Sequence, residues 1–442
     1  MRKENCARRY FDDQDRWPQE RLARSQLERL KRMVKLAYAE LPFYRQRFEA
    51  AGVEPGCIDS LQDFSKLPTF NKRDLLRELK RQESFLIGME APRPGEPAAL
   101  CMTSGTLGSS FLYLPRRWRA LRGDSLVRYF WWSGLRPGMR MLMAAPAWHG
   151  LAVQESRALE RLGAACVIPW GTFLPRYAGN FVDAIRDLRP EFLSMFLPML
   201  YAVLADCRRR RLPPREVFDG VRSLVLVGAP MTPHSRAKLI EELGVGDIFE
   251  GLGNPEALTA MECSCHSGHH VFLDCCHVEV IDPKTGAVLA PGKRGAVVVT
   301  SLIPRGSIYI RYNSEDVGEI LPEPCPCGRT WPRLEVYDRW ANAVPVAGRE
   351  FFPYDVRLCL EEAPEFIGVP FALVRSEQAT DCLKILIQKT PDADPDSMGA
   401  VLRRRLKEKF HVEAREEWTD HLPERWKGVA VIEEKDWRVC HV

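Results

Sequence analysis

The chain has 442 residues, 45% of them hydrophobic, and sets 63 Lys and Arg against 59 Asp and Glu for a formal net charge of +4. That length suits two or three domains with a substantial core, and charge so near balance excludes a dominant electrostatic role on nucleic acid or a membrane surface. No apolar run approaches the roughly 18 residues of a membrane span, and the polar opening Met1-Arg2-Lys3-Glu4-Asn5-Cys6 lacks the apolar heart of a secretion signal. A cytoplasmic protein is therefore expected, its 14 cysteines mostly reduced.

Leu27, Leu30, Val34, Ala37 and Leu41 recur at helical spacing among charged residues and predict an amphipathic helix ending near Pro42. Residues 59–77 predict a short helical region interrupted at Pro68, and the three prolines of Ala91–Pro97 predict a loop. The run from Cys101 to Ser110 is the most informative stretch, because small hydroxylated residues and glycines precede a strand-like Phe111–Leu114. Glycines let consecutive N–H groups face one hollow, and the hydroxyls of Thr103, Ser104 and Thr106 add donors suited to a polyphosphate. The plain alternative is a polar turn between strands.

Apolar runs then alternate with helical patterns. Met141–Ala145, Ala165–Ile168, Phe192–Phe196 and Leu224–Val227 read as buried strands, with helices at Asn180–Leu188 and Thr232–Leu243, which predicts an α/β layer with a mainly parallel sheet. Arg208–Arg211 and Arg403–Arg405 read as solvated helix faces. From about residue 271 the pattern becomes antiparallel, with strands at 278–282 and 295–300 around the turn Pro283–Gly286. Beyond Arg339, strands at 371–375 and 383–388 and a helix opened by Asp394-Pro395 predict a small α+β C-terminal domain. Met398, Val401, Leu402 and Leu406 form the apolar face of that helix.

Cys263, Cys265, His266, His269, His270, Cys275, Cys276 and His277 crowd into residues 263–277, and Cys325 and Cys327 follow. Thiolate and imidazole are the ligands of closed, tetrahedral zinc sites. The competing reading is a reduced cysteine cluster.

Taken in order, these blocks resemble the phenylacetate–CoA ligase family of acyl- and aryl-adenylate-forming enzymes. Leu41-Pro42-Phe43-Tyr44-Arg45 looks like its "VPFYR" signature, Thr103–Ser110 resembles its "SSGTTGKP" phosphate loop, and Glu160–Ala164 is similar to its "AERLGA" helix end. Gly228-Ala229-Pro230 stands where the family has "GAEP", and Ile310–Asp316 resembles "IRYRTRD". Cys325–Thr330 resembles "CxCGRT", and Gly348–Pro353 looks like the "GVNVFP" entry to the C-terminal domain. The resemblance implies a large N-terminal adenylate-forming domain over residues 1–338, with mainly parallel sheets plus an antiparallel subdomain. A small, mobile C-terminal lid would cover residues 339–442. It also implies a two-step reaction, in which a carboxylate attacks the α-phosphate of ATP with Mg²⁺ and CoA then displaces AMP.

Carried onto this chain, the phosphate cradle would be Thr103, Ser104, Gly105, Thr106 and Gly108. The nucleotide pocket would draw on Gly228, Ala229, Pro230 and Arg339, with Asp316 accepting both ribose hydroxyls. Phe249 is either an adenine platform or a core ring. Lys427 would bridge substrate carboxylate and α-phosphate, Glu256 or Glu250 would hold Mg²⁺, and Trp148, His149 and Gly150 would wall the acid pocket. Within the Cys/His set, the family register selects Cys263, His270, Cys325 and Cys327 for structural Zn²⁺. The chain departs from the family at Ser109-Ser110, where Gly-Lys-Pro is usual, in the segment Glu250–Glu256, and around Ala341-Asn342 at the hinge. Transfer of the acyl group to an amine or hydroxyl instead of CoA, and a degenerate nucleotide-binding protein without activity, therefore stand beside the acid–CoA ligase reading. Neither the acid nor the oligomeric state is legible.

Overall fold

The computed structural model describes residues 11–81, 98–102, 111–115, 125–144, 150–167, 177–254, 256–303, 308–378, 380–390, 393–423 and 431–439. The chain divides into two compact units, residues 1–227 with 245–336, and residues 228–244 with 337–442.

The first unit opens with the expected amphipathic helix, Gln19–Glu40, which buries Leu30, Met33, Val34 and Ala37. It stops at Leu41, whose extended backbone is what a residue before proline adopts, and Pro42 then starts a second helix, Pro42–Ala50. The interruption expected at Pro68 separates the short helix Leu61–Phe64 from Lys72–Arg81. Asn71 caps the latter, its Oδ1 accepting the N–H groups of Arg73 at 3.0 Å and Asp74 at 3.1 Å.

Two strands, β1 (Ala98–Met102) and β2 (Phe111–Pro115), pair antiparallel with Met102 opposite Phe111. The main sheet holds eleven strands: β3 (Arg140–Ala144), β4 (Ala165–Val167), β5 (Phe192–Phe196), β6 (Ser223–Val227), β7 (Asp247–Gly253), β8 (Thr259–Glu262), β9 (His269–Val271), β10 (Cys276–Ile281), β11 (Gly295–Ser301), β12 (Tyr312–Ile320) and β13 (Arg333–Arg339). Their order is β10-β11-β12-β13-β9-β8-β7-β6-β5-β3-β4. β4, β3, β5, β6 and β7 run parallel. Such strands, covered on both faces, read as unbroken apolar runs, which is why the sequence exposed four of the five. The antiparallel portion is not a separate layer. It continues the same sheet from β7 through β8 and β9.

Arg311 ties the early helices to this sheet. It is buried, its Nε meets Glu279 at 3.0 Å, and its guanidinium also donates to the carbonyls of Ser65 and Leu67. Phe70 and Asn313 add backbone bonds across the same seam.

In the second unit, β14 (Val344–Val346) pairs with β15 (Arg349–Phe351), and a four-stranded sheet follows. It is built from β16 (Phe371–Arg375), β17 (Cys382–Gln388), β18 (Glu413–Thr419) and β19 (Val431–Glu433), in the order β18-β17-β16-β19. The helix Pro395–Phe410 carries the chain from β17 to its parallel neighbour β18, buries Met398, Leu402 and Leu406, and is capped by Asp394 as the sequence predicted. No helix among the described residues is long and apolar enough to cross a membrane.

Candidate functional site

Four of the ten Cys and His residues singled out by the sequence converge. Cys263 follows β8, His270 lies on β9, and Cys325 and Cys327 sit on the turn between β12 and β13; all four are buried. Their ligand atoms lie within 4.8 Å of one another. Cys263 Sγ is 3.6 Å from Cys325 Sγ, and Cys327 Sγ is 3.4 Å from His270 Nε2. A tetrahedral ion with Zn–S bonds near 2.3 Å asks for edges of roughly 3.8 Å, so the four atoms fit one. His270 Nδ1 lies 3.1 Å from the carbonyl of Trp331, which directs Nε2 into the cluster. The Cys327 thiol is pulled well below its ordinary value, first by the hydrogen bond from Cys263 and also by His270, against the effect of burial. Cys263, which keeps the shared proton, is pushed up, and burial pushes Cys325 up. Metal binding replaces such protons. Of the other cysteines in the segment, Cys265 packs against the cluster and Cys276 donates to the carbonyls of Phe272 and Thr259.

Trp132, Trp331 and Phe272 wall this cluster with edge-to-face rings, the Trp132 centroid 5.7 Å from that of His270. An N-terminal strap closes over them. Trp331 Nε1 donates to Gln14 at 2.7 Å and the Thr330 N–H to Asp15 at 3.0 Å. Asp15 accepts from the Phe11 N–H at 2.8 Å and Trp132 Nε1 at 2.9 Å, and lies 3.1 Å from Arg128 Nε. Nothing in the sequence pattern marked this network.

The residues expected at the nucleotide lie on several elements of the two units. Asp316 is half-buried on β12 beside Glu315, which approaches Asn71 Nδ2 at 3.4 Å. The next residue, Lys72, lies 3.6 Å from Glu256 in the turn after β7, so Asn71 and Lys72 at the start of the helix Lys72–Arg81 link Glu256 to Glu315. Glu250 lies apart from Glu256, in register with Glu262 on β8, which in turn faces His269 on β9. His269 Nε2 is 3.7 Å from Glu250, and Glu262 accepts the Glu250 N–H at 2.7 Å. Phe249 is 5% exposed and packs in the core with its ring 5.4 Å from His266. Gly228 takes φ 93° directly after β6, a conformation that favours glycine, and Ala229-Pro230 leads to the helix Pro233–Leu243. Arg339 ends β13 and is exposed. Next to it, Asp338 accepts from Asn342 Nδ2 at 2.6 Å. Thr103, Ser104, Gly105, Thr106, Gly108, Trp148, His149 and Lys427 lie outside the described residues, and Gly150 opens the helix Gly150–Leu162.

A parallel sheet whose strand ends carry such carboxylates is the setting of a nucleotide-using α/β enzyme. The model of the AMP-binding enzyme family matches residues 22–302. The phenylacetate-coenzyme A ligase of Pseudomonas putida is 30% identical, over 68% of this chain and 67% of its own length. That of Thermus thermophilus is 28% identical, over 86% and 84%. A crystal structure of 2-hydroxyisobutyryl-CoA ligase in complex with 2-HIB-AMP superposes with a TM-score of 0.85 at 22% identity, covering 98% of this chain and 94% of that one. This last likeness speaks to the fold. The chain belongs to the AMP-binding enzymes and, within them, to the phenylacetate–CoA ligase family of adenylate-forming enzymes.

Proposed function

We propose that this protein adenylates an aromatic or other small hydrophobic carboxylic acid with ATP and transfers the acyl group to CoA, releasing AMP. Family membership supports this reaction class. The observation that best supports the residue assignment is the link through Asn71 and Lys72 between Glu256, beyond the carboxyl end of β7, and Glu315, the neighbour of Asp316 in the chain. Asp316 binds the ribose hydroxyls, Glu256 holds Mg²⁺, and Gly228–Pro230 and Arg339 border the nucleotide. The loop of Thr103, Ser104, Gly105, Thr106 and Gly108 carries the phosphates, and Lys427 serves the adenylation step from a mobile lid of residues 339–442. Trp148, His149 and Gly150 wall the acid pocket. Adenylyl transfer asks for alignment and charge stabilisation rather than covalent catalysis, and these groups supply both. The reaction is placed in the cytoplasm.

Incubation of the protein with aryl acids, Mg²⁺ and ATP is expected to release pyrophosphate, with a thioester formed once CoA is added. Asp316→Ala should raise the KM for ATP by on the order of tenfold or more, the loss of a hydrogen-bonded charged partner. ATP binding without pyrophosphate from any acid would leave only the degenerate nucleotide-binding reading, and pyrophosphate without thioester would select an amine or hydroxyl acceptor.

Cys263, His270, Cys325 and Cys327 hold Zn²⁺ in a structural role, since four protein ligands leave no open position for catalysis. Metal analysis should find one zinc per chain, lost in Cys327→Ser. Substoichiometric zinc with freely reactive thiols would count against the site.

A further inference from the structure

The strands that carry the cysteine-rich cluster bring a second set of donor groups together. Successive side chains of a strand alternate in direction, so His269 leaves β9 on the face opposite His270. Glu262, the partner of His269 on β8, and Glu250, next in register on β7, share that face. The ligand atoms of Glu250, Glu262 and His269 lie within 4.8 Å of one another, and all three residues are buried. None of them is used by the cysteine site or by the reaction proposed above.

Each is held in place by its surroundings. His269 Nδ1 lies 3.3 Å from the carbonyl of Leu334, which fixes the tautomer and turns Nε2 toward Glu250. The same device aims His270 at the thiols. Glu262 accepts the Glu250 N–H at 2.7 Å and lies 3.2 Å from His266 Nδ1, while His266 Nε2 reaches Asp247 at 3.0 Å. A neutral imidazole nitrogen and a carboxylate oxygen are both acceptors, and His269 Nε2 and Glu250 stand 3.7 Å apart, beyond hydrogen-bond reach. That spacing suits a shared cation, since metal–ligand bonds of about 2.1 Å in a tetrahedron ask for edges of roughly 3.4 Å. Two carboxylates buried side by side also favour a positive charge between them.

We propose that Glu250, Glu262 and His269 form a second metal site, for a first-row divalent cation such as Mn²⁺, Fe²⁺ or Zn²⁺. Carboxylates suit Mn²⁺ and imidazole suits Fe²⁺ and Zn²⁺, whereas Ca²⁺ and Mg²⁺ favour oxygen alone. The ion joins β7, β8 and β9 where the sheet changes from parallel to antiparallel. It is distinct from the Zn²⁺ of the cysteines and from the Mg²⁺ assigned to Glu256, and it stands whether or not the ligase reading does.

The test titrates zinc-loaded, nucleotide-free protein with Mn²⁺, which thiolate sites disfavour, and follows the loss of the free-ion electron paramagnetic resonance signal. The wild type is expected to take up one Mn²⁺ per chain and to melt at a higher temperature with it. Glu250→Gln and His269→Leu should each weaken uptake by about tenfold or more and keep the cysteine-bound zinc. Glu250→Gln preserves the side-chain shape, and its cooperative melting without Mn²⁺ shows that it folds. Glu256→Gln should take up Mn²⁺ as the wild type does. A wild type that takes up no Mn²⁺ overturns the proposal and leaves His269 as an imidazolium paired with Glu250. Uptake unchanged in both Glu250→Gln and His269→Leu, or lost in Glu256→Gln instead, overturns it as well.

Discussion

The strap at residues 11–19 and the helix Gly150–Leu162 each sink one carboxyl completely out of water, Asp15 and Glu155. Burial raises the pKa of both. At Asp15 that rise is opposed by the Phe11 N–H, the charge of Arg128, the Trp132 indole and Arg329. At Glu155 nothing opposes it. The difference separates two uses of a buried charge. Asp15 is compensated at Oδ2 by two N–H donors and by the charge of Arg128 nearby, and it holds segments together, whereas Glu155 lowers stability and gives no contact in return.

The largest effect that sharpens this contrast is expected at the strap. Asp15→Ala should cost about 3–5 kcal/mol, because it leaves the buried Arg128 short of a partner and the Trp132 N–H unpaired. A shift of the urea midpoint reads it, and a loss under about 1 kcal/mol would mean that Asp12 and Asp274, which also meet Arg128, suffice alone. A smaller effect of opposite sign is expected under the helix. Glu155→Leu should gain about 1–2 kcal/mol at neutral pH by removing an unsatisfied group.

Its pH dependence has a definite sign. The folded pKa of Glu155 stands near 8 against an ordinary value of 4.5, so between these the unfolded chain holds fewer protons. The contribution of Glu155 is fully present below about pH 4.5 and declines as pH rises toward 8, by up to about 1.4 kcal/mol per unit. Glu155→Gln should lack that decline, and parallel stability curves for the two proteins between pH 5 and 8 would break the comparison.

How much of this was legible in the sequence depended on the range of the signal. β3, β5 and β6, with the helix Pro395–Phe410, announce themselves because burial on both faces, or on one helical face, leaves a local periodic record. Cys325 and Cys327 were recoverable from a motif and joined to Cys263 and His270 only through family register. The partners of Asp15 were not recoverable, because Arg128 and Thr330 lie far along the chain and nothing local marks them. β8 and β9 were hidden because His269-His270 and Glu262-Cys263 read as metal-binding polarity rather than as strands. Glu250, Glu262 and His269 share one row across three strands, an alignment that only the pairing register reveals.

The bond from Thr330 to the carbonyl of Asp15 spans 315 positions. The amino-terminal segment therefore leaves the ribosome long before its partners exist. At synthesis rates of about 5–20 residues per second, its polar and aromatic groups must wait on the order of 15–60 seconds. Until then the helix Gln19–Glu40 can pack only on segments made soon after it, such as the helix Pro42–Ala50. The nascent chain should thus be most vulnerable to misassociation over its earliest-made part, and the carboxyl-terminal half of this unit acts as the key that finally secures it.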